Sequence, residues 1–423
     1  MGMTIVEKIL ARHAGVAAVR PGDIVVCDVD MAVQLDLSFV MDERLASPKR
    51  IADPGKVAIV LDHRVPARSV EDATAQAKAR KFAAKWGLKN FFDVGNHGIC
   101  HQVIMENGLA LPGQILACSD SHTIASGALN CAARGLGQVE IAQIISTGKT
   151  WYRASPTIKF VLRGGKPPNV FGKDILLHIA GRFGSVEGHN VEFSGPGLAS
   201  LTFDDRSTLI TMCAEISADF ATLPADEPVL NYLKGRARVP FEPVFADADA
   251  DYAAVHEIDL AALKPTLARP DFVPGNTLPA ELFSETVRID QAFVGSCANG
   301  KLEDLRIAAA VVKNRKVAPW VRFIVTPASQ KIYLDAVRAG YVETLLEAGA
   351  TVTNSTCGAC GGAHLGVLGP GEVCITASTR NFRGRMGSPE ARIYMGSSAT
   401  VAASAVTGHI TDPTPFLREA GLA

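Results

Sequence analysis

Ile115-Leu-Ala-Cys-Ser-Asp-Ser-His-Thr123 (ILACSDSHT) decides the fold: a short apolar run passes directly into a loop dense in polar and ionisable side chains. Four apolar residues bounded by polar ones suit a buried strand. The same strand-to-loop pattern recurs on both sides of it. Residues 23–29 (DIVVCDV) and 56–61 (KVAIVL) read as buried strands, and residues 91–94 as another short one. Between them Ser69 opens a helical pattern that runs to about Trp86, with Asp72 three residues after the cap and Gly87 as a stop. Strand, loop and helix in repetition predict an α/β protein with mostly parallel sheets.

Further along, residues 158–162 read as a strand and Gly172–Phe183 as a helix. Residues 235–280 are rich in Pro, Asp and Ala and read as a connector, helical only near 252–256. Alternation resumes with a strand at 290–294, a helix at 302–316, a strand at 321–325 and a helical stretch at 329–348 interrupted near Gly340. A chain of 423 residues exceeds one ordinary core. Three α/β domains are expected, at 1–154, 155–285 (with the connector) and 286–423.

Composition excludes several classes. Lys and Arg number 42 against 43 Asp and Glu, a net charge of −1, so no whole-chain field attracts nucleic acid or anionic lipid. No apolar stretch reaches the ~18 residues of a membrane span. The opening MGMTIVEKILARHAG reads as an amphipathic helix without the apolar core and cleavage site of a signal peptide. A cytoplasmic location is expected. There, nine cysteines, an odd number, suit free thiols or metal ligands better than disulfides.

Three of these cysteines sit on loops with chemical character. Val294-Gly-Ser-Cys297-Ala-Asn-Gly300 follows a strand, and Thr356-Cys357-Gly-Ala-Cys360-Gly-Gly362 is a glycine-flanked Cys-x-x-Cys. Glycines let backbone fold closely round an ion or cluster. A redox pair, half of a zinc site, or plain buried thiols fit the spacing too. Zinc lacks a second Cys-x-x-Cys or His-x-His partner. Cys27, Cys100, Cys118, Cys131, Cys213 and Cys374 stand alone and read as core. Three thiolates on a [4Fe–4S] cluster would leave one iron open to act as a Lewis acid.

Six motifs in order resemble the aconitase superfamily: Leu61-Asp-His-Arg-Val-Pro66, Gly98-Ile-Cys-His-Gln102, Cys118-Ser-Asp-Ser-His-Thr123, Gly295-Ser-Cys-Ala-Asn-Gly300, Thr356-Cys-Gly-Ala-Cys360 and Arg380-Asn-Phe-Arg-Gly-Arg385. The resemblance runs almost end to end and is strongest to the isopropylmalate dehydratase branch. It implies three α/β domains around one [4Fe–4S] cluster per chain, with the swivelling fourth domain on a separate small subunit in a heteromer. It implies a hydro-lyase acting on a small hydroxy-dicarboxylate. Isopropylmalate leads, which would place the chain in leucine biosynthesis; 2-methylmalate, 2,3-dimethylmalate, maleate and homocitrate/homoaconitate are alternatives.

By the same resemblance Cys297, Cys357 and Cys360 match the cluster ligands. Asp62 and His63 match the pair that works on the leaving hydroxyl. His101, Asp120, Ser121 and His122 match groups near substrate and bound water, and Glu215 a carboxylate near the open iron. Arg380 and Arg385 match contacts to the substrate carboxylates. The chemistry asks for such types: guanidinium forks hold the charge that develops on a carboxylate, and an oriented His protonates a departing hydroxyl. The serine that takes the carbon-bound proton belongs to the small domain, and no further α/β domain follows Gly408-His-Ile-Thr-Asp412, so the chain alone is expected to be inactive.

Three positions depart from the family pattern. Leu35 precedes Asp36 where a Gln or His is usual, and Thr211 and Thr379 stand where Asn is usual. A threonine hydroxyl still hydrogen-bonds, but Leu35 removes a polar group, which bears on the choice of substrate. A cluster- or RNA-binding homologue without catalysis is the alternative of another class; the charge balance and the absence of a basic run with interleaved aromatics count against it.

Overall fold

A computed structural model describes residues 2–40 and 48–423; Met1, the first residue of the N-terminal helical reading, lies outside them. Packing divides the chain into two units, Met1–Arg163 with Val186–Ile258, and Gly164–Ser185 with Asp259–Ala423.

In unit one, β1 (Ile24–Asp28) leads into β2 (Met31–Leu35), followed by β3 (Val57–Val60), β4 (Asn90–Phe92), β5 (Ile115–Cys118), β6 (Ala132–Gly135), β7 (Lys149–Arg153), β8 (Thr157–Arg163), β9 (Asn190–Ser194), β10 (Ala221–Thr222) and β11 (Ala254–Asp259). Strands β4-β3-β2-β5-β6 form a five-stranded sheet in that order, and every adjacent pair is parallel. Strands β2, β3 and β5 are buried throughout, as continuous apolar runs in a parallel sheet should be. A second sheet has the order β10-β9-β8-β11.

The helix Val70–Trp86 forms as its caps dictate. The Ser69 hydroxyl accepts the Asp72 N–H, Gly87 closes the helix at φ 62°, and Ala75, Ala79, Phe82 and Ala83 form its buried stripe. At the N-terminus, Ile5–Ala14 is the amphipathic helix read from sequence, held by a Thr4–Glu7 capping box.

Unit two adds β12 (Thr266–Ala268), β13 (Thr277–Pro279), β14 (Gln291–Val294), β15 (Arg322–Val325), β16 (Thr351–Val352), β17 (Val373–Thr376) and β18 (Arg392–Met395). Their order is β13-β12-β18-β17-β14-β15-β16, with β18 through β16 parallel and β12 antiparallel to both its neighbours. The helix Gly172–Phe183 has the bounds read from sequence and belongs here, where Asp174 accepts the Thr266 N–H at 2.8 Å.

Four expectations are corrected. Residues 24–28 are not a buried strand: β1 pairs only with β7, antiparallel, leaving Ile24 and Val26 exposed and turning Cys27 inward. The central strand is β2, which the reading of residues 23–29 passed over. Residues 254–259 are a strand, not a helix, and their exposure alternates as a half-covered strand requires. The helix from Leu302 ends at Val312 rather than 316, and Asn314 then takes a left-handed φ of 60°.

Candidate active site

Three neighbouring parallel strands of unit one end in carboxylates. β2 runs into Asp36, β3 into Leu61-Asp62-His63, and β5 into Ser119-Asp120. The carboxyl ends of parallel strands are where open α/β sheets gather ligand-binding groups. Asp36 accepts the N–H groups of His63 (3.2 Å) and Arg64 (2.7 Å), which fixes the turn after β3. Asp62 accepts the Cys100 N–H at 2.9 Å and so anchors the start of the helix Cys100–Glu106, which carries His101.

Asp120 is the hub. His101 Nε2 lies 2.8 Å from its Oδ1, and His63 Nε2 lies 3.6 Å from its Oδ2. Oδ1 also accepts the backbone N–H of His122 at 2.7 Å. His122 Nε2 in turn meets Glu215 Oε1 at 3.0 Å, and its Nδ1 lies 3.5 Å from Ser121 Oγ. Gly135 on the adjacent β6 is required here: a Cβ would stand 2.3 Å from the Asp120 carbonyl oxygen. Asp62, His63, His101, Asp120, His122 and Glu215 are thus brought together in one buried or half-buried cluster.

The electrostatics separate these groups. Burial raises Asp62, and neighbouring Asp36 and Asp120 add to the effect against His63 and the Cys100 N–H. Burial would also raise Asp120, but hydrogen bonds from His101 and His122 hold it well below the usual carboxylate range. Burial would lower His122, yet its bonds to Asp120 and Glu215 carry it up to about 9. The cluster therefore offers an ionised carboxylate, a charged imidazole and a carboxyl group disposed to keep a proton, the set needed for acid–base chemistry.

The three loop cysteines lie in unit two, also at carboxyl ends of parallel strands. Cys297 follows β14 in the turn Ser296–Asn299, and after β16 Cys357 caps the single turn Gly358–Gly361, which contains Cys360. All three thiols are buried. Gly362 takes φ 64°, and a Cβ there would stand 2.7 Å from the Arg385 carbonyl oxygen, so glycine lets the cysteine loop close on the arginine segment. Arg385 Nη2 donates to Cys360 Sγ at 3.6 Å, and Thr379 Oγ1 lies 3.9 Å from the same sulfur. Arg380 is half-buried directly after Thr379. Three buried thiols on strand-end loops of one sheet, with donors reaching the Cys360 sulfur, fit a group held by thiolates.

The departures find definite places. Leu35 is buried at the end of β2, in register with Val60. Thr211 donates its hydroxyl to the Ser207 carbonyl at 2.6 Å, within its own helix. Thr379 turns its hydroxyl to the Cys360 sulfur, keeping a polar contact. Sequence reasoning left Asp36 out of the site; its only signal is a carboxylate at a strand end. It also missed Lys173, Lys301 and Asp304, whose signal is a charge on the buried side of a helix or cap.

The family model for aconitase (aconitate hydratase) matches residues 7–286 and 278–408. The chain belongs to the aconitase family. It is an enzyme of the hydro-lyase class, and members of that family typically bind a [4Fe–4S] cluster. The chain is 58% identical to the 3-isopropylmalate dehydratase large subunit of Mycolicibacterium smegmatis, over 97% of each chain. It is 42% identical to the probable 3-isopropylmalate dehydratase large subunit of Methanothermobacter thermautotrophicus, over 98% of this chain and 99% of that one. Among solved structures, aconitase X of Thermococcus kodakaraensis in its holo-form aligns with a TM-score of 0.50 and 13% identity, covering 86% of this chain and 87% of that one, a likeness of fold. Among the described residues no helix is long and apolar enough to cross a membrane.

Proposed function

We propose that this chain is the cluster-bearing large subunit of a two-subunit hydro-lyase that dehydrates and rehydrates isopropylmalate. The observation that carries the reading is the 58% identity, over 97% of both chains, to a relative named for that reaction. Unit one carries the acid–base cluster and unit two the thiol set. A small subunit, implied by the names of the relatives, is the partner that completes the site.

Cys297, Cys357 and Cys360 would hold the [4Fe–4S] cluster. Held by three thiolates, such a cluster would have one iron without a protein ligand and would supply a Lewis acid for a substrate hydroxyl and carboxylate. The residues of this chain do the rest. His63, with Nδ1 3.7 Å from Asp62 and Nε2 3.6 Å from Asp120, protonates the hydroxyl as it leaves, and His101, oriented by Asp120 at 2.8 Å, holds substrate and water beside it. Asp62 and His63 hold and exchange that proton, consistent with the upward shift of Asp62. His122, charged and paired to Glu215, orders the water that departs or returns. Ser121, Arg380 and Arg385 bind the carboxylates and take up the charge that builds as the carbon-bound proton is lost to a base on the small subunit. The protonated hydroxyl leaves as water, the carbon-bound proton stays on that base, and the electron pair of the broken C–H bond forms the carbon–carbon double bond.

Co-expression with a small subunit of the isopropylmalate dehydratase type, anaerobic purification and an ultraviolet assay for the unsaturated diacid test the reading. Turnover of isopropylmalate is expected. Turnover of 2-methylmalate or another hydroxy-diacid with none of isopropylmalate would overturn the substrate.

A further inference from the structure

Two lysines of unit two are buried where long cationic side chains rarely go. Lys173 is 0% exposed and Lys301 is 1% exposed. Neither ammonium points to water. Lys173 Nζ donates to the carbonyl oxygens of Ala377 and Ser378, both at 2.6 Å. Those carbonyls precede Thr379, whose hydroxyl faces the Cys360 sulfur. Lys301 Nζ donates to the carbonyl oxygen of Ala298, the residue after Cys297.

One carboxylate accompanies the two cations. Asp304 accepts the Lys301 N–H at 3.1 Å, the Asn299 amide at 2.7 Å and the Ser398 hydroxyl at 2.8 Å. Burial pushes Lys173 down to about 7 and Lys301 adds to that, while Asp304, Cys297 and Cys360 lie within electrostatic reach and act to keep it charged. With both lysines charged, the pair would exceed the one aspartate named here by one positive charge in a dry interior. Unbalanced buried charge is costly, and it persists where a charge of opposite sign faces it. Three thiolates and what they bind are the candidates.

We propose that Lys173 and Lys301 are positioning residues for the cluster: from behind its loops they pin the backbone beside Cys297 and ahead of Thr379, and their surplus positive charge stabilises the anionic, thiolate-bound group. Asp304 trims that surplus. Charge and hydrogen bonding around a cluster set its reduction potential and its retention, so the three residues tune both. The inference rests on the thiol site holding a cluster, as argued above.

The sign of the effect gives the test. The complex is prepared anaerobically with wild-type chain and with the Lys173→Met, Lys301→Met and Asp304→Asn variants. Iron and sulfide per chain, the midpoint potential from a spectroscopic titration, and the rate of cluster loss in air are measured. Removing either lysine is expected to move the potential negative and to speed cluster loss at least severalfold. Asp304→Asn is expected to move the potential positive. A merely structural role would not give opposite signs, and circular dichroism confirms that each variant compared is folded. Should neither lysine variant fold, the direction of the Asp304→Asn shift decides alone. Folded variants with wild-type potential and retention, or shifts of one sign throughout, would overturn the inference. A wild-type chain that holds no iron or sulfide would instead overturn the cluster reading on which it rests.

Discussion

Deprotonating His122 by raising the pH should weaken unit one by an amount the geometry sets. Bonded to Asp120 and Glu215, this imidazole titrates near 9 in the fold, against 6.5 when unperturbed. A histidine that binds its proton more tightly in the folded state contributes its full stabilisation below about pH 6.5, and the contribution is lost as pH climbs through about 9. A shift of about 2.5 units corresponds to about 3 kcal/mol. Unfolding by urea, followed by circular dichroism at half-unit steps from pH 6 to 10, measures it in the wild type and in His122→Asn. The wild-type free energy should fall relative to the variant by about 3 kcal/mol across that window, with a slope approaching 1.4 kcal/mol per unit between its ends. Parallel curves for the two proteins would refute the electrostatic account of this residue.

The remaining predictions follow from single contacts. Replacing Cys297, Cys357 or Cys360 by Ser should leave a folded chain that retains far less iron and sulfide, measured by chemical analysis after anaerobic purification. His63→Gln should lower kcat by about 10²–10⁴-fold with a smaller change in KM, as expected for loss of an oriented general acid. Gly127→Ala should cost about 1–3 kcal/mol in a urea melt, because its Cβ would stand 1.8 Å from the Ala221 carbonyl oxygen. The large subunit assayed without its partner should show no turnover; full activity from the isolated chain would contradict the two-subunit reading.

Where the sequence was legible, local chemistry and tertiary packing agreed. Ser69, Asp72 and Gly87 mark a helix whose ends the structure reproduces, and the polar loop after Ile115–Cys118 does lead to the hub carboxylate. The helix Gly172–Phe183 was equally clear. The errors share a cause: burial depends on partners that a local pattern does not name. DIVVCDV looked like a core strand, but β1 has a single neighbour, so Ile24 and Val26 face outward. β2, which does sit in the middle of the sheet, contains Gln34 and runs into Asp36, and that polarity hid it. Residues 254–259 alternate in exposure yet contain too few apolar side chains for the alternation to stand out.

The site divides in the same way. Ordered motifs brought Asp62, His63, His101, Asp120 and His122 into view, the family resemblance added Glu215, and the distances gather them around Asp120. Asp36 escaped notice because it acts on the backbone of His63 and Arg64 rather than through a recognisable motif. Lys173 and Lys301 escaped because a lysine in a helical sequence reads as solvated until its burial is known.

Electron paramagnetic resonance of the anaerobically reconstituted, reduced complex, recorded with and without isopropylmalate, tests most directly whether three thiols serve a substrate-binding cluster. A [4Fe–4S] signal whose g values move when isopropylmalate is added is the expected result. A chain that takes up no cluster, or a signal indifferent to every hydroxy-diacid tried, would contradict it.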